Sequence, residues 1–111
     1  MIGKPVGTVF PEDVKDIKGL DLTEYALQDI SFLQHFDGLT SLFLSYNNIS
    51  DITPLANLTS LTTLHLSSNN ISDLSPLSKL TSLTTLYLSN NNISDYAIVE
   101  NLPNIKKLVV Q

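Results

Sequence analysis

The chain repeats itself every 22 residues. Leu39, Leu61, Leu83 and Ile105 stand at that interval, and so do Leu42, Leu64, Leu86 and Leu108. Asn47, Asn69 and Asn91 keep the same spacing, as do Ile49, Ile71 and Ile93. A fixed short period of this kind means that each unit is one small structural element unable to bury its own apolar side, so that stacked neighbours share a continuous core. Function on such a scaffold belongs to an exposed face. The sequence therefore speaks more clearly of how this protein binds than of what it binds.

Four units align without a gap, Ile17–Gly38, Leu39–Ser60, Leu61–Ser82 and Leu83–Asn104, and residues 105–111 begin a fifth. Two periods lie inside each unit. Leu64-x-Leu66 alternates, which predicts a short strand with inward leucines. Leu74, Leu77 and Leu80 are spaced by three, which fits a 3₁₀ turn, whose i and i+3 side chains eclipse, better than an α-helix. Asp51, Asp73 and Asp95 precede these turns and can cap their free N–H groups. Pro54 and Pro76 fall in the first turn, where a missing N–H does no harm. Asn47, Asn69 and Asn91 are expected to bond the buried backbone of the turn that leaves each strand. Tyr25 occupies that place in the first unit and marks it as a transition to a cap.

Residues 1–16 do not follow the period. Mapped back by 22, Val14 alone falls on a core position. Val6, Val9 and Phe10 are apolar without repeat spacing, and Pro11-Glu12-Asp13 suits the opening of a helical turn. The expected organisation is an N-terminal cap over 1–16 and repeats over 17–111. The sequence stops within the strand pattern Ile105-x-x-Leu108-x-Val110. Its last strand is expected either to self-associate through the C-terminal edge at Val109 and Val110 or to continue, in the native protein, into another repeat or domain.

The frame Leu61-x-x-Leu64-x-Leu66-x-x-Asn69-x-Ile71 and the phrase Asn69-Asn70-Ile71-Ser72-Asp73-Leu74-Ser75-Pro76-Leu77 resemble the leucine-rich-repeat family. Within it they resemble the 22-residue subclass of bacterial internalins and protein-phosphatase regulatory subunits. The resemblance runs from Ile17 to the end. It implies an α/β right-handed solenoid, with a parallel β-sheet on the concave side and short 3₁₀ turns on the convex side. It also implies a non-enzymatic protein–protein interaction module. The internalin-like wording favours a bacterial protein at the cell surface or secreted, acting on a host. A cytoplasmic regulatory subunit docking an enzyme such as a phosphatase stays open, as does a structural or engineered repeat scaffold.

Composition removes other classes. The 42% hydrophobic and 15% charged residues suit a packed chain. There is no cysteine, hence no disulfide framework and no thiolate metal site. A net charge of −5 gives no basic face for nucleic acid. No apolar run is long enough to insert across a membrane. No Gly-rich phosphate loop or catalytic constellation stands out from the repeat, so neither a catalytic residue nor a cofactor is expected.

The candidate site is the set of strand positions that point out of the concave sheet. Between the two strand leucines come Asp21, Phe43, His65, Tyr87 and Val109. Two residues beyond the second strand leucine come Glu24, Tyr46, Ser68 and Asn90. The other outward columns are bland: Gly19, Ser41, Thr63, Thr85 and Lys107, then Thr23, Ser45, Ser67 and Ser89. Phe43, Tyr46, His65 and Tyr87 are expected to form a partner-binding patch, with Tyr46 beside Phe43, because aromatics bury much area at low entropy cost. Cross-strand packing is the alternative use of such rings. His65 lacks a second His, a Cys or a close carboxylate and is not expected to hold a metal. The column Asp51, Asp73 and Asp95 admits a calcium ladder, but capping is the simpler account.

Overall fold

The computed structural model describes residues 14–111. The expectations on Val6, Val9, Phe10 and Pro11-Glu12-Asp13 lie outside the described residues. Five short strands, β1 (Gly19–Asp21), β2 (Ser41–Phe43), β3 (Thr63–His65), β4 (Thr85–Tyr87) and β5 (Lys107–Val109), form one parallel sheet in chain order. Register repeats with the sequence: Leu20 faces Leu42, which faces Leu64, then Leu86, then Leu108. The ladder continues past each strand, with Leu22, Leu44, Leu66 and Leu88 donating to the next unit at 2.7–2.8 Å. This is the right-handed leucine-rich-repeat solenoid, its sheet on the concave side.

The opposite side carries 3₁₀ segments at Ser31–His35, Thr53–Leu55 and Ser75–Leu77. The three-residue spacing of leucines gives a relay of i to i+3 bonds: Leu77 to Leu74, Leu80 to Leu77, and Leu83 to Leu80. Between sheet and turns lies a single core. Leu39, Leu42, Leu44, Ile49, Leu55, Leu58 and their equivalents one unit on are fully buried. Each unit's leucines touch those of its neighbours, so folding stability is shared across the stack.

The aspartates do what their position suggests. Oδ1 of Asp29, Asp51, Asp73 and Asp95 accepts the backbone N–H two residues on, each at 2.9 Å. The asparagine ladder is equally regular. Asn69 donates to the carbonyls of Leu44 and Leu66, both at 3.0 Å, and accepts from Ile49 N–H at 3.0 Å. Asn91 repeats this with Leu66, Leu88 and Ile71. Each asparagine therefore ties two consecutive units together. Among the described residues, every buried side-chain nitrogen or oxygen has a partner.

Three details depart from the repeat. The fourth unit replaces the expected 3₁₀ turn with an α-helical turn, α1 (Ala97–Glu100), in which Glu100 and Asn101 bond four residues back. Ile98 stands there where Pro54 and Pro76 stand earlier, and Ala97 and Glu100 are strong helix formers. In the first unit Tyr25 cannot supply the amide. The residue is 65% exposed, and Asn47 accepts from Leu27 N–H at 2.9 Å as Asn69 does from Ile49, with an added bond from Tyr25 N–H at 3.0 Å that the later units do not show. Ala26 takes a second left-handed conformation, φ 54°, that the later units do not need. Finally, Gly38 stands where Ser60 and Ser82 stand later. A Cβ at residue 38 would come within 2.5 Å of the Lys15 carbonyl oxygen, so glycine lets the chain before β1 close against the first unit. Val14, the residue mapped onto a core position, is buried there.

The capping aspartates set an acid limit. Thr53's hydroxyl and N–H hold Asp51 below its ordinary 3.8, and bonds from Ser31 and Ser75 do the same for Asp29 and Asp73. A depressed carboxyl binds fewer protons in the folded than in the unfolded chain. The stability it contributes is present above 3.8 and is lost as pH falls through the folded value. Thermal melts are expected to be flat between about pH 5 and 7 in this respect and to drop below about pH 4. The pair Asp51→Asn and Asp73→Asn, which keeps the acceptor without the titration, should make that drop shallower. A melt equally acid-sensitive with both substitutions would remove the caps from the account.

Candidate functional site

The pleat turns the middle residue of each strand into the core and its neighbours outward. Leu42, Leu64 and Leu86 are fully buried, while Phe43, His65 and Tyr87 are half-buried on the open face. Their register, Phe43 opposite His65 and His65 opposite Tyr87, brings the three rings together. Phe43 meets His65 edge to face, with centroids 4.6 Å apart and planes at 79°. His65 and Tyr87 are 4.3 Å apart at 38°. The sequence places these side chains side by side as exposed groups. In the structure each ring covers part of the next, so they form one continuous stripe across three strands.

Tyr46 is placed differently. It is 61% exposed and sits in the turn after β2, and the ring stack runs past it through Phe43, His65 and Tyr87. Its backbone is left-handed, φ 60°, as are Glu24, Ser68 and Asn90 at the same place in their units. Asparagine tolerates that conformation, whereas a bulky ring does not favour it. The turn is dictated by the repeat, so Tyr46 takes a strained backbone that Asn90 takes readily.

Lys107 falls in a column that reads as bland in the sequence, yet its ammonium lies 5.4 Å from the centroid of the Tyr87 ring, within cation–π range. The signal was available in the column itself, as the one long cation among Gly, Ser and Thr on the strand beside Tyr87. Lys107 extends the stripe to β5. Its pKa is raised by the Tyr87 hydroxyl, so it is a cation at neutral pH.

At the centre, burial among the rings lowers the pKa of His65, with Lys107 adding to the effect and Asp21 opposing it. Near neutral pH the imidazole is therefore uncharged and behaves as a third aromatic ring. Among the described residues no group of three His, Cys, Asp or Glu side chains is arranged to hold a metal ion. His35, the other histidine, ends the first 3₁₀ segment on the far side of the core. No helix of the described residues is long and apolar enough to cross a membrane.

Comparison with known proteins agrees with the geometry. The family model for leucine-rich repeats in two copies matches residues 37–79 and 59–97, together more than half of the chain. Internalin C2 from Listeria monocytogenes superposes with a TM-score of 0.74 at 32% identity, over 89% of this chain and 54% of that one. Internalin F from the same organism gives 0.51 at 26% identity, over 89% of this chain and 43% of that one. The leucine-rich-repeat ectodomain of the Arabidopsis receptor kinase HAESA, solved with a peptide hormone ligand, gives 0.75 at 26% identity, over 87% of this chain and 18% of that one. The chain thus spans about half, or less, of the length of each of these relatives. No curated protein sequence matches it.

Proposed function

We propose, from the premise that the chain belongs to the leucine-rich-repeat family and is internalin-like within it, that it captures a protein partner on its concave sheet. Proteins of this family are generally interaction modules without catalytic activity. The observation that carries the assignment is the ring stripe Phe43–His65–Tyr87, laid across three adjacent strands and open on one side. Around it the sheet face is Ser and Thr: Ser41, Thr63 and Thr85 on one flank, Ser45, Ser67 and Ser89 on the other. A low polar rim around an aromatic centre is the layout of a binding hot spot.

Tyr46 supports the same reading from the edge of the sheet. A large ring held in left-handed backbone works against folding by about 1 kcal/mol, and it is left 61% exposed, so packing gives little back. A local rule broken at an exposed aromatic points to a use outside the fold. The internalin relatives favour a bacterial surface or secreted protein that meets a host partner.

Phe43→Ala and Tyr87→Ala should each weaken partner capture by at least about 1 kcal/mol while leaving the melting curve nearly unchanged. The measurement is capture from lysate and from host cells by wild type, by the double variant, and by Phe32→Ala. Phe32 is an exposed ring in the first 3₁₀ segment, on the opposite side. Capture lost in the double variant and kept in Phe32→Ala is the expected result. If Phe43→Ala and Tyr87→Ala instead lower the melting temperature sharply, the rings are packing residues and the assignment fails.

A further inference from the structure

The stripe is not electrically uniform along its length. At the β1 end Asp21 stands in register with Phe43. Its Oδ1 accepts from the Thr23 N–H at 3.1 Å and from the Thr23 hydroxyl at 2.7 Å. Those bonds hold the carboxyl below its usual 3.8. It is thus a firm anion, pinned through one oxygen and exposed. At the β5 end the exposed ammonium of Lys107 lies over Tyr87. Both charges are felt at the ring between them, since Asp21 raises and Lys107 lowers the pKa of His65. The face is an aromatic floor with an anion at one end and a cation at the other.

We infer that this stripe takes an extended peptide segment lying across the strands, with a cationic side chain at one end, a carboxylate at the other, and apolar or aromatic side chains between. The inference rests on the concave-face binding proposed above and specifies its ligand. Parallel strands lie about 4.8 Å apart. Lys107 leans from β5 back over β4, so the two charges are three to four spacings apart, about 14–19 Å. An extended chain rises about 3.3 Å per residue and returns a side chain to the same face every second residue. The two charges of the ligand therefore belong four or six residues apart, and the same-side residues between them fall on Phe43, His65 and Tyr87. A segment with two acidic ends meets Asp21, and one with two basic ends meets Lys107. Like-charge contact of that kind rejects wrong ligands more strongly than the matching contacts hold right ones.

The test uses fluorescein-labelled peptides blocked at both termini, five and seven residues long, with serine spacers and the charged residues first and last. Leucine and tyrosine occupy the same-side inner positions, with tyrosine alone in the shorter series. Each length is made with one charge of each sign, with two acidic ends and with two basic ends, and binding is read by anisotropy at low salt. Wild type should prefer the mixed-charge peptide by about tenfold over both others. Asp21→Lys should move the preference to the diacidic peptide, and Lys107→Glu to the dibasic one. Circular dichroism of both variants should match wild type, because both side chains are exposed. A preference that does not follow the substitutions overturns the inference, and so does absence of binding by every peptide. In either case, partner capture that still depends on Phe43 and Tyr87 leaves the binding face standing and removes only its charge polarity. A dimer of the protein alone, dissolved by Phe43→Ala in sedimentation, would give the stripe to a second copy and also overturn it.

Discussion

Leu64→Ala is expected to remove roughly 2–5 kcal/mol of folding free energy, the usual consequence of a cavity left by a buried leucine. Leu64 is fully buried and is in register with Leu42 on one side and Leu86 on the other. A cavity at residue 64 therefore loosens two unit–unit interfaces, not one. In a linear array each unit is held only by its neighbours, and a domain of this size has about 5–15 kcal/mol in total. The variant should melt far below wild type or fail to fold at 37 °C. Thr63 is the control, because it is the preceding residue of the same strand and points to the opposite face. Thr63→Ala should change stability by no more than about 0.5 kcal/mol. Urea titrations that rank the two substitutions equally, or in reverse, would show that the strand frame is out of phase.

That phase was legible because the repeat supplies the same evidence several times over. One Leu-x-Leu pair is a weak strand signal, but pairs at 42/44, 64/66 and 86/88 have to serve the same role in a stack. The 3₁₀ turns were legible for the same reason, through leucines spaced by three and Pro54 and Pro76. Legibility failed where the repeat itself lapses. Ile98 in place of proline turns the fourth unit toward α-helix, a preference that emerges only when Ala97 and Glu100 are read for helix propensity and not for the frame. Tyr25 marks the first turn as irregular, yet only the structure reveals that its N–H adds a second backbone bond to the Asn47 amide oxygen, beside the regular one from Leu27.

The candidate site was half legible. Its ring positions follow from register, since a parallel stack with a shift of 22 residues must bring Phe43, His65 and Tyr87 into one row. The backbone of the turn after each strand does not follow from side-chain pattern. Glu24, Tyr46, Ser68 and Asn90 share no chemistry, yet all are left-handed, and only Asn90 hints at it by type. Tyr46 shares that turn and is 61% exposed, whereas Phe43, His65 and Tyr87 are half-buried. Lys107 escaped notice because a long side chain reaches beyond its own column, and its position over Tyr87 depends on a rotamer that spacing cannot reveal.

Asn69→Ala is expected to destabilise the fold, while Asn70→Ala, one residue on, should be nearly silent. The Asn69 side chain binds the carbonyls of Leu44 and Leu66 and the N–H of Ile49. Those groups belong to two units and lie where the strands have ended, beyond the regular ladder. Alanine leaves the Ile49 N–H without its acceptor and takes one of two amide donors from each carbonyl, since Asn47 still bonds Leu44 and Asn91 still bonds Leu66, in a region packed against Leu66 and Ile71, which are fully buried. Leaving a buried polar group unpaired costs about 1–3 kcal/mol, and the Ile49 N–H is the group so left, so the loss should fall in that range. Asn70 is exposed, and its side chain accepts one bond from the exposed Asn92 at 3.0 Å, an exchange that water can replace. Asn69→Asp sharpens the comparison. It keeps the acceptor for Ile49 but sets a carboxylate oxygen against the Leu44 and Leu66 carbonyls, so it too should melt below wild type although the Ile49 bond is kept. Equal urea midpoints for Asn69→Ala and Asn70→Ala would mean that the ladder adds nothing to folding and that the repeat keeps its asparagines for another reason.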